Sequence, residues 1–87
     1  MTARPTTAQA THIADALRDA ATCYRDGAPA AAADHLARAD LFLALHGATA
    51  ELRGQVQAVQ SFAFLGLTDR AADAAEQVAA TTERVYA

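Results

Sequence analysis

The sequence predicts an all-α protein of four antiparallel helices arranged as two helical hairpins. Three observations carry this. Alanine, the strongest helix former, fills 26 of the 87 positions. Residues that favour sheets are scarce, with four Val, one Ile and five Phe or Tyr. Gly27, Gly47 and Gly66 divide the chain into segments of roughly 18–20 residues, each with apolar residues at helical spacing. Only 19 apolar side chains are larger than alanine. That is too many for a disordered chain and enough for one modest core. The expected organisation is a single helical domain over residues 1–87, with residues 1–5 as a flexible N-terminal tail.

The first helix is read over Thr6–Asp26. At 100° per residue, Ile13, Leu17, Ala20 and Tyr24 share one face. Cys23 flanks that face as a buried structural thiol. Asp15, Asp19 and Asp26 are expected to pair with Arg18 and Arg25 along the same helix, at the helix surface. Gly27 suits the left-handed position that ends a helix, and Pro29 suits the first turn of the next.

The second helix is read over Pro29–His46, with Ala32, Leu36, Ala39 and Leu43 inward and Phe42 on the flank. Leu41 and Leu45 point the opposite way, on the side of Asp34 and Arg38. An exposed aliphatic pair marks an interface, so both are candidate self-association residues. The third helix is read over Thr49–Leu65, opened by Thr49 as N-cap. Leu52, Val56, Val59 and Ala63 face inward, flanked by Phe62, while Phe64 falls on the side of Arg53, Gln57 and Gln60. Gly54 inside this helix costs about 1 kcal/mol relative to alanine, which either a close helix crossing or a local flaw would explain. The fourth helix is read over Asp69–Tyr86, capped by Thr68 or Asp69, with Ala71, Ala75, Val78, Thr82 and Val85 inward. Loops this short make consecutive helices antiparallel neighbours, and inward alanines bring their axes close.

The formal net charge is -3, and all seven basic residues are Arg, spread evenly. No basic stripe exists to release phosphate counterions, so nucleic acid is not an expected partner. A basic amphipathic helix for a membrane surface is missing for the same reason. The longest run of large apolar residues, Leu41–Leu45, is far short of the ~20 residues that span a bilayer. Residues 1–10 hold no apolar core of a signal peptide, and Cys23 has no internal disulfide partner, so a cytoplasmic setting is expected. Lys and Asn are absent while Ala and Arg abound, the codon bias of a high-GC bacterium.

No arrangement of residues predicts catalysis. His35 and His46 are eleven residues apart, three turns along one helix and too far for one metal. His12 stands apart from both. His46 sits near a helix C-terminus. Glu51, Glu76 and Glu83 precede no His at the spacing of a di-iron bundle. Ser61, the only serine, has no motif around it, and no glycine-rich phosphate loop is present. The expectation is a non-enzyme with no cofactor and no metal.

The chain also repeats itself at an offset of 39 residues. Gly27, Ala32, Leu36 and Ala39 align with Gly66, Ala71, Ala75 and Val78, and upstream Ile13, Leu17 and Tyr24 align with Leu52, Val56 and Ala63. At these residues the chain resembles the tetratricopeptide repeats (TPR) over roughly residues 12–80. The stretch from Leu36 to Gly47, followed by Ala50, Glu51 and Leu52, looks like the longer repeats of actinobacterial regulators. The family's aromatic and Leu-Gly pair is missing, with Ala16, Asp19 and Ala20 in one unit and Gln55, Ala58 and Val59 in the other. Two units are also fewer than the three that usually make a stable solenoid. The fold is thus a TPR-like pair or an up-down four-helix bundle.

The resemblance implies a groove lined by the first helix of each hairpin and bound by an extended peptide or helix. Ala14, Leu17, Ala21, Tyr24 and Arg25 would line it in one unit, and Arg53, Val56, Gln60, Ala63 and Phe64 in the other. Tyr24, Arg25, Arg53, Gln60 and Phe64 are the candidate partner-binding residues, since Arg recognises carboxylates and Phe anchors in apolar pockets. The expected function is a small protein–protein interaction or oligomerisation module, with another protein or a second copy as partner. The alternatives are a secreted helical hairpin of the WXG type, although Trp is absent, and a cofactor-binding helical bundle.

Overall fold

The computed structural model describes residues 4–87 and contains four α-helices. They are α1 (Thr7–Arg25), α2 (Pro29–Leu45), α3 (Ala50–Phe64) and α4 (Thr68–Val85). Every boundary lies within one residue of the position read from the sequence. Among the described residues there is no strand.

Each helix end has a local cause. α1 opens with a capping box: the Gln9 N–H donates to Thr6 Oγ1 (3.1 Å), and the Thr6 N–H donates to Gln9 Oε1 (2.9 Å). Pro29 begins α2, and Thr49 caps α3 by accepting from the Leu52 N–H (3.3 Å). Thr68 or Asp69 was expected to cap α4; both are instead first-turn helical residues, and Leu67 holds the cap position without a side-chain bond. The preceding turn explains this, because the Leu67 N–H donates back to the Phe62 carbonyl and the turn ends where α4 begins. The same closure recurs after α1 and α2. Gly27, Gly47 and Gly66 have φ of 75°, 76° and 78°, and the next N–H groups, of Ala28, Ala48 and Leu67, bond to the carbonyls of Cys23, Leu43 and Phe62. This is the Schellman arrangement, which glycine adopts without steric cost.

The helices form a ring, with α1 against both α2 and α4 and α3 bridging α4 and α2, as in a four-helix bundle. The α1–α4 seam is the most extensive and the α2–α3 seam the slightest. Composition explains the difference. Among the described residues the core cluster holds 21 buried members, of which 11 are alanine, and nine of these belong to α1 or α4, where short side chains let backbones approach. The inward stripes match the sequence periodicity, including Ile13, Leu17, Leu36, Leu43, Val56 and Val59, all at most 1% exposed.

Three local expectations are corrected, and the alternative left open at Gly54 is decided. Val85 is exposed, and the following Tyr86 is buried in its place. Cys23 is half-buried against the core rather than enclosed by it. Arg4 and Pro5 do not form a loose tail. Pro5 is buried, and Arg4 donates to the Val85 carbonyl (3.2 Å) with its guanidinium 5.3 Å above the Tyr86 ring. The rest of the expected tail, residues 1–3, lies outside the described residues. Gly54 serves no close crossing, since a Cβ there would meet nothing within 4 Å. Gly54→Ala is therefore expected to stabilise the protein by about 1 kcal/mol, a rise of roughly 4–8 °C in a thermal melt.

The ion pairs expected along α1 mostly cross to α4. Only Arg18–Asp15 (3.8 Å) stays within the helix. Arg18 also pairs with Glu83. Arg25 grips Glu76 with both guanidinium nitrogens (2.6 and 3.1 Å) and bonds Asp73 (2.8 Å). The order of these pairs, with residue 7 on 86, 18 on 83 and 25 on 76, runs oppositely along the two helices. The hydrogen bonds from Arg25 and Arg18 hold the Glu76 and Glu83 carboxyls below their ordinary range, and raise both arginines. A carboxylate depressed in the folded state adds stability above its unfolded pKa, near ~4.3, and loses it as pH falls through the folded value. Melting temperature is thus expected to drop on acidification below about pH 4.3, with a shallower acid slope in Glu76→Gln. Because the pairs are exposed, raised salt should flatten the same slope.

Candidate functional site

The lightly joined α2–α3 side is where apolar surface reaches solvent. α2 buries one stripe but is apolar around much of its circumference, leaving Ala30, Ala33, Ala37, Leu41, Ala44 and Leu45 exposed. A helix of that kind normally has neighbours on more than one side. On α3 the exposed flank reads Arg53, Gln57, Gln60 and Phe64, at spacings of four, three and four. Phe64 is 91% exposed, and Leu65 beside it is 68% exposed.

Between the two helices lies a cleft of about 280 Å³ lined by Tyr24, Pro29, Ala33, Leu36, Gln60, Ala63 and Phe64. Tyr24 reaches it from α1, and burial pushes its phenol pKa up. A shallower depression of about 560 Å³ continues over Gln57, Gln60, Ser61, Phe64 and Leu65. No charged residue lines the cleft, and the polar side chains among its lining residues are Tyr24 and Gln60. It is equipped to take an apolar side chain beside one amide hydrogen bond, and holds no nucleophile paired with a base.

Charge is segregated in the same sense. Only five of the 17 charged residues lie on α2 and α3: Asp34, Arg38, Asp40, Glu51 and Arg53. The rest belong to α1, α4 and their ends. Depletion of charge around exposed aromatic and aliphatic groups is the composition of an interface core.

The residues singled out from sequence separate into three groups. Tyr24, Gln60 and Phe64 meet at the cleft. Arg53 is exposed on the same α3 flank, about 10 Å from Gln60 at 1.5 Å rise per residue. Arg25 lies apart, turned to α4 and occupied by Glu76 and Asp73. Leu41 and Leu45 are 54% and 66% exposed on α2, as their off-stripe positions predicted. Sequence reasoning missed Pro29 and Ala33 as cleft walls, and Leu65 and Leu67 as exposed apolar residues. The run Leu65-Gly66-Leu67 was the available signal, because it places two leucines in a turn that no inward stripe claims.

Elsewhere, Phe42 lies between His12 and His46, with ring centroids 5.1 and 6.1 Å away. His35 Nδ1 and Asp40 Oδ1 are buried without hydrogen-bond partners. A further cleft of about 340 Å³ separates α3 and α4 along Gln55, Ala58, Ala74, Gln77, Val78 and Thr81. Among the described residues no three His, Cys, Asp or Glu side chains gather as a metal site would require, and no helix is long and apolar enough to cross a membrane. Comparison of the chain with protein-family models, with curated proteins and with solved structures returns no match.

Proposed function

We propose that the protein is a non-catalytic protein-interaction module whose docking face is the α2–α3 side. The carrying observation is Phe64, almost fully exposed on the rim of an uncharged apolar cleft. Leaving an aromatic ring in water forgoes about 1.5–3 kcal/mol of burial, which a bound partner would recover. Arg53 and Gln60 on the same flank add polar contacts, and aromatic and Arg residues are the usual energetic anchors of interfaces. The likeness to tetratricopeptide repeats supports the same face, since Tyr24 and Phe64 come from the first helix of each hairpin. A secreted hairpin of the WXG type would need one long helix through residues 27–29, where the chain here breaks between α1 and α2.

The test is affinity capture with the tagged protein, offered extract of its source cells and the untagged chain itself. Phe64→Ala and Arg53→Ala are expected to lose the captured partner. Both should melt as the parent protein does, within about 0.5 kcal/mol, because both sites are exposed. A partner retained by both variants defeats the assignment of this face.

A further inference from the structure

We infer that the α2–α3 seam is a gate that opens without unfolding: α2 and α3 part at the cleft end while the α1–α4 seam holds the rest of the bundle together. The inference concerns the side proposed as a docking face, but it requires nothing to be docked there. It stands on how unevenly the bundle is fastened. Among the described residues, every side-chain hydrogen bond or ion pair that leaves its own helix and cap involves α4 or Tyr86. Arg4 reaches Val85, Thr7 reaches Tyr86, Arg18 reaches Glu83, Arg25 reaches Glu76 and Asp73, and Tyr86 reaches Thr49. None of these bonds joins α2 to α3. Apolar packing is divided in the same way, with the buried alanines concentrated on α1 and α4 and the slightest seam between α2 and α3. Sparse packing without polar ties marks the part of a fold that opens at the lowest cost.

The two ends of this seam differ. At one end the residues between Leu45 and Ala50 tie α2 to α3 directly, and Tyr86 pins that tie by accepting from the Thr49 N–H (3.1 Å). At the other end the turns run from α1 to α2 and from α3 to α4, so no chain link joins Pro29 to Phe64. The cleft lies at this free end. Leu36 is only 1% exposed and yet lines the cleft, so one side chain belongs to the core and to the cleft wall at once. Swinging α2 away from α3 about the tied end therefore brings solvent to Leu36 while the hydrogen bonds within each helix stay formed. The cost is the apolar contact of the slightest seam, with no side-chain hydrogen bond to break. The cleft is thus the closed form of a wider groove floored by core residues.

Labelling of a buried thiol under native conditions tests this, in the full chain carrying Cys23→Ala so that the introduced cysteine is the only one. Leu36→Cys puts the thiol at the gate, and Leu17→Cys puts it at a comparably buried leucine of α1. The probe is a small aromatic disulfide reagent. Chemical denaturation of each variant gives its global stability, and hence the labelling rate that complete unfolding alone would allow. Leu17→Cys is expected to react at that rate. Leu36→Cys is expected to react at least about tenfold faster than its own global unfolding allows, with a weaker dependence on denaturant because less surface is exposed. Val56→Cys, a smaller change at a fully buried position of α3, carries the same expectation and serves where Leu36→Cys does not fold. Labelling of Leu36→Cys and Val56→Cys at the rate set by global unfolding overturns the gate. An equal excess in Leu17→Cys overturns its confinement to the α2–α3 side. The docking face is tested separately by capture with Phe64→Ala, so the failure of either reading is distinguishable from that of the other.

Discussion

Leu17→Ala is expected to destabilise the protein by about 2–5 kcal/mol and to lower its melting temperature by roughly 10–30 °C. The residue is completely buried in α1. Its weight comes from what surrounds it in the sequence. With 11 of 21 buried apolar positions already alanine, ten larger side chains supply most of the burial that holds four helices together. A core built on alanine is also slow to heal a cavity. The small residues let α1 and α4 approach closely, so little slack remains for neighbours to move inward, and the upper half of the range is expected. At about 0.05–0.15 kcal/mol per residue, a chain of this length has roughly 4–13 kcal/mol in total, so this single change approaches the limit of foldability. Leu45→Ala, at an exposed leucine of the same size, should change stability by no more than about 0.5 kcal/mol. Chemical denaturation of the two variants at low protein concentration, where association does not contribute, makes the comparison. Equal losses would mean that Leu17 is not the core residue its burial implies.

The helices and their buried faces were legible because both depend on local rules. Glycine at three regular positions, each taking positive φ, fixes where helices stop. The 3.6-residue period then assigns Ile13, Leu36, Leu43 and Val56 to the interior with no knowledge of neighbours. The same rule exposed its own exceptions, Leu41, Leu45 and Phe64, and these proved to be surface residues. What was hidden depends on which helix lies beside which. Arg25, expected to pair along α1, instead finds Glu76 and Asp73 once α4 is the neighbour. The cleft joins Pro29 to Gln60, 31 positions apart, and no periodicity links them. Helix ends were also obscure where one residue serves two elements. Leu67 completes the turn after α3 and begins α4, so the hydroxyl of Thr68 is never asked to cap. The burial of Tyr86 was hidden because the chain leaves the helical path there and the periodic rule lapses.

Tyr86→Ala is the second large effect, about 3–5 kcal/mol by the usual cost of deleting a buried aromatic side chain. Tyr86 lies outside the last helix, where truncation would ordinarily be harmless. Here it is a fastening between three segments. Its ring is buried and lies under the Arg4 guanidinium. Its hydroxyl accepts a hydrogen bond from the Thr49 N–H at the entrance of α3 (3.1 Å), and its carbonyl accepts one from Thr7 Oγ1 at the start of α1 (3.2 Å). Removing the side chain therefore loosens the N-terminus of α1, the entrance to α3 and the end of α4 together. Tyr86→Phe separates the contributions. It keeps the ring and loses only the bond from Thr49, whose N–H lies on an exposed residue that water can reach, so a cost of about 0.5–1.5 kcal/mol is expected. Hydrogen exchange gives the sharper readout. In Tyr86→Ala, amides near Gln9, Ala10 and Leu52 should lose protection well beyond the global change, while those of Leu36 and Ala39 should follow the global change alone. Uniform loss at all of these sites would mean that Tyr86 acts through general core volume and not as a fastening. Parent-like protection near Leu52 would remove its link to α3.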